Sequence, residues 1–425
     1  MPGKVGLVAA KGAGRLQPVP VIEPNLRRLR AYVAVSEFGS LGKAAERLNV
    51  TQSSLTRVIQ ALERQVGFAL FKRTARGMIS NSYGAILAER ARHALGHLDS
   101  AEAEVTAARQ NRNQRGGRGF GKKATYRQLC ALVAIADYQT QTGAARKLDL
   151  SQPAVTLALR DLERLVGERL FLRTARGMVA TKAGEILCRY AKLAFAEIAA
   201  AGTEIAAQTG RVSGRIVVGV LPLSGTLLAP RAINLLLRDH PSLQMTVVDG
   251  TYQSQIHGLL CGDIDVIVGG LDYEAPQEIV QESLFEDWLS VVARKDHPLF
   301  KKKSLTLKSL AGFEWVVPPG GTPARISFEN VMASAGLTIG NNPIVANASP
   351  VRGLLVDSDR LAVMSRHQIY FEETAGLLAV LPIRLPNTGL PVGIRTRADV
   401  PPSAAVNALK RHLRELSVDM RKVLN

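Results

Sequence analysis

Polar side chains cluster at the start of one amphipathic segment, and their types are those that read DNA bases. The segment begins with Gln52, and Thr56 and Arg57 follow one turn later. A glutamine can bridge the two hydrogen-bonding groups of adenine, an arginine can bridge those of guanine, and a threonine methyl can contact thymine. At the N-terminal end of a helix in the major groove, such residues reach base edges together. This cluster therefore predicts recognition of double-stranded DNA.

The same cluster occurs a second time, 100 residues further along the chain. Residues 29–78 and 129–178 align without a gap, and 22 of the 50 positions are identical. A repeat of this length indicates a duplicated domain rather than a solenoid, whose repeats are about 20–50 residues long. The candidate DNA-binding residues are Thr51, Gln52, Ser53, Ser54, Thr56, Arg57, Arg73 and Arg76 in the first copy, and Ser151, Gln152, Pro153, Thr156, Arg173, Arg176 and Lys182 in the second.

The sharpest difference between the copies is Arg57, which Leu157 replaces in the second copy. Arginine can bind guanine or a phosphate, and leucine can bind neither. The first copy is therefore predicted to have the stronger guanine contact or an additional phosphate contact. Any single Gln or Thr in these clusters can equally serve only as a helix cap. The combination, repeated at the same spacing, is more specific than its members.

A helix-turn-helix is predicted to position these side chains. In the first copy a short helix over Leu41–Leu48 ends at a turn, and Thr51 caps a longer helix over Gln52–Val66. The apolar residues of the longer helix recur at spacings of three and four, so one face is buried. In the second copy Ser151 caps the equivalent helix, Gln152–Val166. A short helix, a tight turn and a capped longer helix place the longer helix in the major groove.

A short hairpin is predicted to follow each long helix. The sequence L-F-x-R-T-A-R-G-M occurs at 70–78 and again at 170–178. Its leucine and phenylalanine are predicted to be core residues. Its arginines are predicted to lie along the phosphate backbone, where they position the domain without reading sequence. A further helix is predicted to begin directly after each hairpin, capped by Asn81 in the first copy and by Thr181 in the second.

Both copies resemble the winged helix-turn-helix of LysR-type transcriptional regulators. The resemblance rests on AAERLNVTQSSLTRVIQALERQVGFALFKR at 44–73 and on AARKLDLSQPAVTLALRDLERLVGERLFLR at 144–173. The family's Thr-x-x-Gly element between the hairpin and the next helix stands at 181–184, whereas the first copy has Asn-Ser-Tyr-Gly at 81–84. Family members normally carry one such domain. Because this chain carries two, the number of subunits usual in the family need not apply to it.

Two Ala-rich segments, 84–110 and 182–210, resemble the family's long linker helix, which pairs two subunits. Each segment can also pack only on its own domain. If they do pair, two arrangements are open. The copies can pair within one chain and read an inverted repeat alone, or each can pair with its equivalent in another subunit. Because the second helix leads directly into the C-terminal domain, as in ordinary family members, the sequence favours a homodimer or homotetramer formed through that helix.

Positive charge is concentrated in the half of the chain that holds the repeats. Residues 1–210 contain 32 Lys and Arg against 16 Asp and Glu, a net charge of +16, and residues 211–425 contain 22 against 20, a net charge of +2. A basic first half indicates a module that binds a polyanion, although a basic surface that only increases solubility gives the same asymmetry. Residues 111–124, rich in Gly and cations, are predicted to be a flexible linker that adds non-specific phosphate contacts.

The cysteines and the N-terminal segment indicate where the protein works. Cys130, Cys188 and Cys261 are odd in number and outside any CxxC pattern, which indicates a reducing compartment without disulfides or a zinc site. Residues 1–24 are predicted to be a disordered leader because of their Gly and Pro residues, and their apolar run is too short for a signal peptide or a membrane span. The predicted location is the bacterial cytosol, in association with the nucleoid.

The second half of the chain changes to short apolar runs that alternate with helices. Strands are predicted at 216–220, 243–249 and 265–269, with helices at 224–240 and 253–261 between them. This alternation predicts a parallel α/β architecture, whose ligands lie at the carboxyl ends of strands. The later predicted strands are 289–293, 315–317, 343–346 and 361–364.

Residues 214–410 resemble the type-2 periplasmic-binding-protein fold with which LysR regulators sense effectors. The resemblance rests on LCGDIDVIVGG at 260–270 and VVARKDHPLF at 291–300. Runs such as TVVDGTY and PPGGTP resemble the subgroup named for a galactose-binding-protein regulator, which implies a sugar or a small acid as effector. The spacing of the predicted strands indicates two lobes, with the chain leaving the first near Arg294 and returning near Arg366. The resemblance also allows a contact with RNA polymerase.

Hydroxyl groups and amides at predicted helix starts are the candidate effector ligands. Helix N-termini that face a cleft favour an anionic or hydroxylated ligand, although each such residue can equally be an ordinary cap. The resemblance places Ser224, Thr251 and Thr322 where family members bind effectors. The full candidate set is Ser224, Gly225, Thr226, Thr251, Thr322 and Ser349.

The predicted fold class is α/β overall, with two winged helix-turn-helix domains, dominated by helices, followed by a two-lobed α/β domain of the type-2 periplasmic-binding-protein kind. The predicted divisions are a leader at 1–24, winged helix-turn-helix domains at 25–83 and 125–181, linker helices at 84–110 and 182–210, a basic linker at 111–124, and an effector-binding domain at 211–425, with lobe I at about 214–293 and 366–425 and lobe II at about 294–365.

The predicted function is that of a transcriptional regulator that binds operator DNA and responds to a small metabolite. An enzyme finds no support, since GxSxG, HExxH, P-loop and dinucleotide motifs are absent from the sequence. No catalytic residue, metal or cofactor is predicted. A solute-binding protein for transport accounts for the second half alone. The alternative that stays open is an architectural DNA-binding protein whose C-terminal domain serves only oligomerisation.

Overall fold

A computed structural model describes residues 25–74, 77–109, 119–208, 212–271, 275–340 and 343–424 of the chain. Side chains are described for all of these residues except Arg73 and residues 421–424. The predicted leader and residues 110–118 of the predicted basic linker lie outside the described residues.

The first winged helix-turn-helix, head 1 below, consists of three helices and a hairpin. Asn25, Ser40 and Thr51 cap the three helices, and each side chain accepts a hydrogen bond from the backbone N–H three residues later. Gly67 ends the third helix in the left-handed conformation. The elements are α1 (Leu26–Phe38), α2 (Leu41–Leu48), α3 (Gln52–Val66), β1 (Phe71–Thr74) and β2 (Gly77–Ser80).

A long linker helix, α4 (Ser82–Ala108), leaves head 1, and the short helix α5 (Phe120–Lys123) precedes the second copy. The prediction of a flexible linker over 111–124 is wrong at its C-terminal end. Phe120 is fully buried, and the Glu102 carboxylate of α4 accepts hydrogen bonds from two backbone N–H groups of the turn. The segment has no aliphatic residue before Ala124, but the buried Phe120 and Ala124 anchor its end.

The second winged helix-turn-helix, head 2 below, repeats each element of head 1 at an offset of 100 residues. The predicted bounds of the two long helices and of the short helix in the first copy are confirmed. The helix after each hairpin also begins where it was predicted. The elements are α6 (Tyr126–Tyr138), α7 (Gln141–Leu148), α8 (Gln152–Val166), β3 (Phe171–Thr174), β4 (Gly177–Ala180) and the second linker helix, α9 (Lys182–Ala207).

The C-terminal half, the effector domain below, alternates strands and helices as predicted. The predicted helix over 224–240 is divided in two, because residues 226–227 interrupt it. The elements are β5 (Gly214–Val220), α10 (Pro222–Gly225), α11 (Leu228–Asp239), β6 (Leu243–Asp249), α12 (Tyr252–Cys261), β7 (Val266–Gly270), β8 (Ile279–Arg294), β9 (Trp315–Val317), α13 (Pro323–Ser334), β10 (Ile344–Val345), α14 (Ala348–Val356), β11 (Leu361–Ser365), α15 (Tyr370–Thr374), β12 (Leu378–Val380), β13 (Gly389–Arg397) and α16 (Ala404–Leu424), with single 3-10 turns at Pro298–Lys301, Leu307–Leu310 and Arg366–Ile369.

The strands form one mixed sheet in the order β10-β9-β11-β8-β13-β7-β5-β6, and β12 also pairs with β8. Strands β5, β6 and β7 are parallel to one another, as are β9, β10 and β11. The long strands β8 and β13 run antiparallel to their neighbours. The predicted parallel arrangement is therefore confirmed for the three parallel strands of each lobe. The long strands β8 and β13, which run through both lobes, make the whole sheet mixed.

The two places where the chain crosses between the lobes differ from the predicted positions. Strand β8 pairs with β13 up to Trp288 and with β11 and β12 from Leu289 onward, so the chain leaves lobe I inside this strand rather than near Arg294. The chain returns inside β13, because Leu390 packs in the core of lobe II and Val392 in the core of lobe I. A continuous strand carries no turn residue to mark such a crossing.

Among the described residues, no helix is long and apolar enough to cross a membrane.

Candidate functional site

The start of α3 presents the candidate base-reading residues of head 1. Gln52, Ser53, Ser54 and Arg57 are all exposed. Thr56 is half-buried, and its hydroxyl donates a hydrogen bond to the Gln52 carbonyl oxygen at 3.0 Å. Its proton is therefore committed to the helix, which leaves the methyl group and an oxygen lone pair for a base. One exposed surface thus holds an amide, two hydroxyls and a guanidinium.

The start of α8 presents the equivalent residues of head 2. Gln152, Pro153 and Leu157 are exposed, and Leu157 is 59% exposed. Thr156 contacts the Gln152 carbonyl oxygen at 2.9 Å and the Gln141 side-chain oxygen at 3.0 Å. This surface keeps the glutamine and the threonine of head 1 but replaces its other polar groups with apolar ones.

Thr51 and Ser151, also predicted to bind DNA, act as N-caps. The Thr51 hydroxyl accepts from the Ser54 N–H at 3.2 Å, and the Ser151 hydroxyl accepts from the Ala154 N–H at 3.4 Å. Each cap fixes the first turn of its helix, where free N–H groups and the helix dipole favour a phosphate. Their position suits a backbone contact better than a base contact.

The hairpin of each head, its wing, is held against the end of the first helix. The Met78 N–H donates to the Gly39 carbonyl at 2.8 Å, and the Met178 N–H donates to the Gln139 carbonyl at 2.7 Å. The wing glycines preceding these methionines have φ near +120°, and a side chain on either would overlap the same carbonyl. Among the predicted DNA contacts, Arg173 and Arg176 of the second wing and Lys182 at the start of α9 are exposed, whereas Arg76 and the side chain of Arg73 lie outside the described residues.

The departure from the family pattern after the first wing makes no structural difference. Asn81 accepts a hydrogen bond from the Gly84 N–H at 2.9 Å and donates to the Ala69 carbonyl at 2.6 Å. Thr181 makes the same two contacts, accepting from Gly184 and donating to the Arg169 carbonyl. Asparagine and threonine each offer one acceptor and one donor, so both connect the wing to the linker helix in the same way.

The two linker helices pack against each other within one chain. They bury the same positions of the repeat, so a single stripe of small and aliphatic residues on each helix faces the partner. The buried positions shared by the two helices are Leu87, Ala88, Ala91, Ala94, Leu98, Ala101 and Val105 in α4, and Leu187, Cys188, Ala191, Ala194, Ile198, Ala201 and Ile205 in α9.

Polar contacts show that the helix pair has approximate two-fold symmetry. Arg90 of α4 contacts Glu204 of α9, and Tyr190 of α9 donates to Glu104 of α4 at 2.9 Å. The two contacts join the same two positions of the repeat, with the helices exchanged. Such reciprocity is the mark of an isologous interface between two copies. Within this chain, α4 occupies the face of α9 on which the predicted pairing between subunits depends. Pairing of α9 with a second subunit stays a prediction.

Arg90 is the buried centre of this interface. Its guanidinium contacts Glu197 at 2.8 Å, Glu204, and the Pro401 carbonyl of the effector domain at 3.0 Å. Burial alone would lower the pKa of Arg90, but the hydrogen bonds to the two glutamates raise it overall. Burial raises the pKa of Glu197, and the Arg90 charge partly offsets this. The cluster joins α4, α9 and the effector domain through one cation.

A second cation joins head 2 to the effector domain. Lys192 of α9 contacts Asp137 of α6 and Asp263 of the effector domain, each at 2.9 Å. Burial lowers the pKa of Lys192, and hydrogen bonds to the two aspartates more than restore it. Asp265, close to Asp263 in sequence, accepts from the Val217 N–H at 2.7 Å. Both carboxylates of this pair therefore make contacts within the protein.

The candidate effector residues of lobe I follow the carboxyl ends of parallel strands. Ser224 is buried, and its hydroxyl donates to the Val268 carbonyl at 2.7 Å. Thr226 contacts the Gln368 carbonyl at 3.4 Å, with Gly225 between it and Ser224. Thr251 follows β6 and caps α12. The hydroxyl protons of Ser224 and Thr251 are both used by the protein, since Thr251 likewise donates to the Ser254 hydroxyl at 3.1 Å, but only Thr251 is exposed.

The candidate effector residues of lobe II also follow parallel strands. Thr322 follows β9 and caps α13, accepting from the Arg325 N–H at 3.4 Å and donating to the Pro319 carbonyl at 2.8 Å. Ser349 follows β10 and is exposed, but the residue at the N-cap of α14 is Asn347 rather than Ser349. The prediction that Ser349 opens this helix is therefore wrong by two residues.

Sequence reasoning missed a buried acid–base pair where β8 crosses between the lobes. Asp287 is fully buried, and its carboxylate lies 3.4 Å from the His367 imidazole. The ring of Phe285 packs edge-on against the same imidazole at 5.3 Å between centroids. The partners are 80 residues apart in the chain, so no local pattern in the sequence indicates the pair.

Comparison with family models agrees with this division of the chain. The model described as the bacterial regulatory helix-turn-helix protein, lysR family, matches residues 26–85 and again 126–185. The model of the LysR substrate binding domain matches residues 209–417. Together these matches cover both heads and the effector domain.

Known proteins match the chain along most of its length. The transcriptional regulator GalR from Pseudomonas putida is 35% identical over 396 residues, which are 92% of this chain and 97% of that protein. A solved full-length OxyR variant from Pseudomonas aeruginosa matches 68% of this chain and 94% of its own, with 19% identity and a TM-score of 0.53. Full-length CbnR, solved in complex with its target DNA, matches 68% of this chain and 99% of its own, with 20% identity and a TM-score of 0.51. The two structures show a shared fold.

Proposed function

The chain belongs to the LysR family of bacterial transcriptional regulators, and on this premise we propose that one copy of it presents both heads to a single operator. Head 1 and head 2 would then read the two halves of an inverted repeat, a task that otherwise needs two subunits. The observation that carries the proposal is the reciprocal contact of Arg90 with Glu204 and of Tyr190 with Glu104 in one chain. A two-fold axis between two recognition domains matches the symmetry of a palindromic DNA site.

Covalent linkage favours this arrangement over pairing between chains. The partner of α4 is part of the same molecule, so its local concentration is set by the connecting segment and not by the concentration of protein. Effective concentrations in linked systems are in the millimolar range for short flexible linkers. Pairing of α4 with a second chain would have to displace α9 and expose the buried stripe of both helices.

The candidate residues of both heads are assigned to DNA binding in this proposal. Gln52, Thr56 and Arg57 read one half-site, and Gln152 and Thr156 read the other. The wing arginines, Lys182 and the helix caps contact phosphates in this proposal, and such contacts position each head without reading sequence. The residues given these backbone roles are Thr51, Arg73, Arg76, Ser151, Arg173, Arg176 and Lys182.

Light scattering of the protein bound to its promoter DNA tests the stoichiometry. We expect one chain on a duplex that carries one inverted repeat, with both half-sites protected in a footprint. In head-disabled chains, Gln52→Ala with Arg57→Ala or Gln152→Ala with Thr156→Ala, each lost base contact is worth about 1–3 kcal/mol. Each pair should then weaken binding by about 10-fold or more and remove protection from one half-site only.

A matched control removes a positive charge from an exposed part of the effector domain. Arg238→Ala should leave operator affinity nearly unchanged, because Arg238 lies on α11, outside both heads. Loss of protection from both half-sites in one head-disabled chain would contradict the proposal, because the two half-sites would then be read by the same head of two chains. So would a head-disabled chain with undiminished affinity, since that head would then serve only for packing.

For the effector domain we propose that a sugar or a small organic acid binds between the lobes. The support is chemical: Thr251 and Thr322 place hydroxyls and helix N-termini at the carboxyl ends of parallel strands in the two lobes. Such groups favour hydroxylated or anionic ligands. Ser224, Gly225, Thr226 and Ser349 complete the proposed site, with the first of these in a supporting role.

Thermal melting in the presence of sugars and of small carboxylic acids tests the effector site. A ligand that raises the melting temperature of the wild type should bind Thr322→Val up to about 10-fold more weakly, the equivalent of one lost hydrogen bond. Thr322→Ser keeps the hydroxyl and should bind normally. Undiminished binding by both Thr322→Val and Thr251→Val would place the ligand elsewhere, and no response to either class would refute the ligand chemistry.

We further propose that the regulator acts on the nucleoid in the bacterial cytosol and contacts RNA polymerase when bound. Two chains, each already holding two heads, can associate through surfaces other than α4 and α9, and a homodimer of this kind would present four heads. Light scattering of the free protein separates these states by mass.

A further inference from the structure

The two recognition helices are supported by the same backbone but present different chemistry. Helices α3 and α8 are both 15 residues long, both start at a glutamine, and both end at a left-handed glycine. The wings that flank them have the same lengths and register. Equivalent side chains therefore reach equivalent positions on the two half-sites, and a difference in residue type becomes a difference in the base preferred.

Two base-reading positions are shared between the heads. Gln52 and Gln152 are both exposed, and Thr56 and Thr156 each donate to the carbonyl of the glutamine four residues earlier. These positions predict the same bases in both half-sites. They account for the part of the operator that is an inverted repeat.

Three further positions differ, and all differ in the same direction. Head 1 has Ser53, Ser54 and Arg57, whose side chains donate hydrogen bonds. Head 2 has Pro153, Ala154 and Leu157 at the same positions, and none of these side chains can donate or accept. The start of α3 is therefore polar and cationic, and the start of α8 is apolar around its glutamine and threonine.

The exposed leucine of head 2 has one natural partner in the major groove. Leu157 is 59% exposed on the surface proposed to face DNA, and within the described part of the chain no other element buries it. The thymine methyl is the apolar group that base pairs present in the major groove, and arginine at the same position binds the acceptors of guanine. The wings show the same change from a cationic to an apolar side chain. Leu172 of head 2, which is 57% exposed, stands at the position of the exposed Lys72 of head 1.

We infer that the operator is an imperfect inverted repeat with guanine in the half-site of head 1 and thymine at the equivalent position in the half-site of head 2. The inference rests on the proposed function, in which one chain covers both half-sites. Because the heads are joined in a fixed order, the chain binds such an operator in one orientation. The regulator therefore faces one flank of its site with head 1 and the other with head 2.

Selection of operators from a random DNA pool tests this asymmetry with three proteins. The wild type should select guanine in one half-site and thymine at the symmetric position of the other, each preferred by about 10-fold or more. Arg57→Leu should select thymine in both halves, and Leu157→Arg should select guanine in both. Replacing the selected thymine with uracil, which lacks the methyl group, should weaken the wild type and leave Leu157→Arg unaffected.

Both substitutions lie at exposed positions, so unchanged thermal melting is expected and confirms that each variant folds. A symmetric consensus for the wild type, together with base preferences that neither substitution moves, would overturn the inference. The head-disabled chains make its failure distinguishable from failure of the proposed function. If two chains share an operator, a chain with only head 1 active should still select guanine, and a chain with only head 2 active should still select thymine. If these two chains select the same base, the asymmetry is refuted, whatever the number of chains on the operator.

Discussion

Replacing Arg90 with methionine should lower the free energy of unfolding by about 3–5 kcal/mol, because it removes the arginine from the buried Glu197 carboxylate and leaves the His93 imidazole, 3.6 Å away, as its basic neighbour. The Glu197 side chain is 2% exposed and Arg90 is its cationic partner at 2.8 Å. Methionine fills much of the arginine volume, so the loss reports the lost ion pair rather than a cavity. Urea denaturation followed by circular dichroism measures the effect.

Two further variants separate this explanation from a general loss of packing. Arg90→Met combined with Glu197→Gln should recover part of the stability, since the buried charge of Glu197 is then absent. Arg189→Met removes the ion pair with Glu104, which is 35–40% exposed on both sides, and should cost at most about 1 kcal/mol. Equal losses of unfolding free energy from Arg90→Met and Arg189→Met would show that burial of the Arg90 cluster does not increase its contribution to stability.

Replacing Gly84 or Gly184 with alanine should destabilise the corresponding head by about 1–3 kcal/mol or more, as expected for an overpacked core. A Cβ at Gly84 would overlap the Leu70 carbonyl oxygen, and a Cβ at Gly184 would overlap the Leu170 carbonyl oxygen. The backbone of each linker helix passes so close to its head that only glycine fits. Hydrogen exchange of the amides in each head measures the local loss.

Gly96 provides the matched control within the same linker helix. No atom lies within 4 Å of a Cβ added there, and the residue is exposed in the middle of α4. Gly96→Ala should therefore stabilise the helix, by about 0.5–1 kcal/mol, because alanine loses less backbone freedom on folding. If Gly84→Ala behaved like Gly96→Ala, the close approach of the linker helix to head 1 would be refuted.

The sequence predicts most of the local structure of the heads because their signals are local. Thr51 and Ser151 are caps, Gly67 and Gly167 are stops, and the apolar spacing between them fits a single buried face. The predicted bounds of both recognition helices agree with the structure at each end. The buried Phe120 shows the limit of such reasoning, since its environment comes from α4 and not from its neighbours in sequence.

The arrangement of the heads and the lobes depends on contacts between distant residues, which no local pattern indicates. Arg90 and Glu204 are 114 positions apart, and Asp287 and His367 are 80 apart. The seven burial positions that the linker helices share fit pairing within a chain as well as pairing between chains. The spacing of apolar residues in the sequence therefore does not distinguish these two modes of pairing. In the effector domain the alternation of strands and helices identifies the helix starts, but not which hydroxyls the protein itself uses.

The pairing of α4 with α9 in one molecule has a consequence for gene dosage. A regulator assembled from two identical subunits loses its operator steeply as its copy number falls, because occupancy then depends on the square of the monomer concentration. If one chain covers both half-sites, as proposed above, this association step disappears and occupancy follows the first power of concentration. A cell that holds only a few copies of the chain would then keep its operator occupied, and daughter cells that inherit unequal numbers would differ less in transcription.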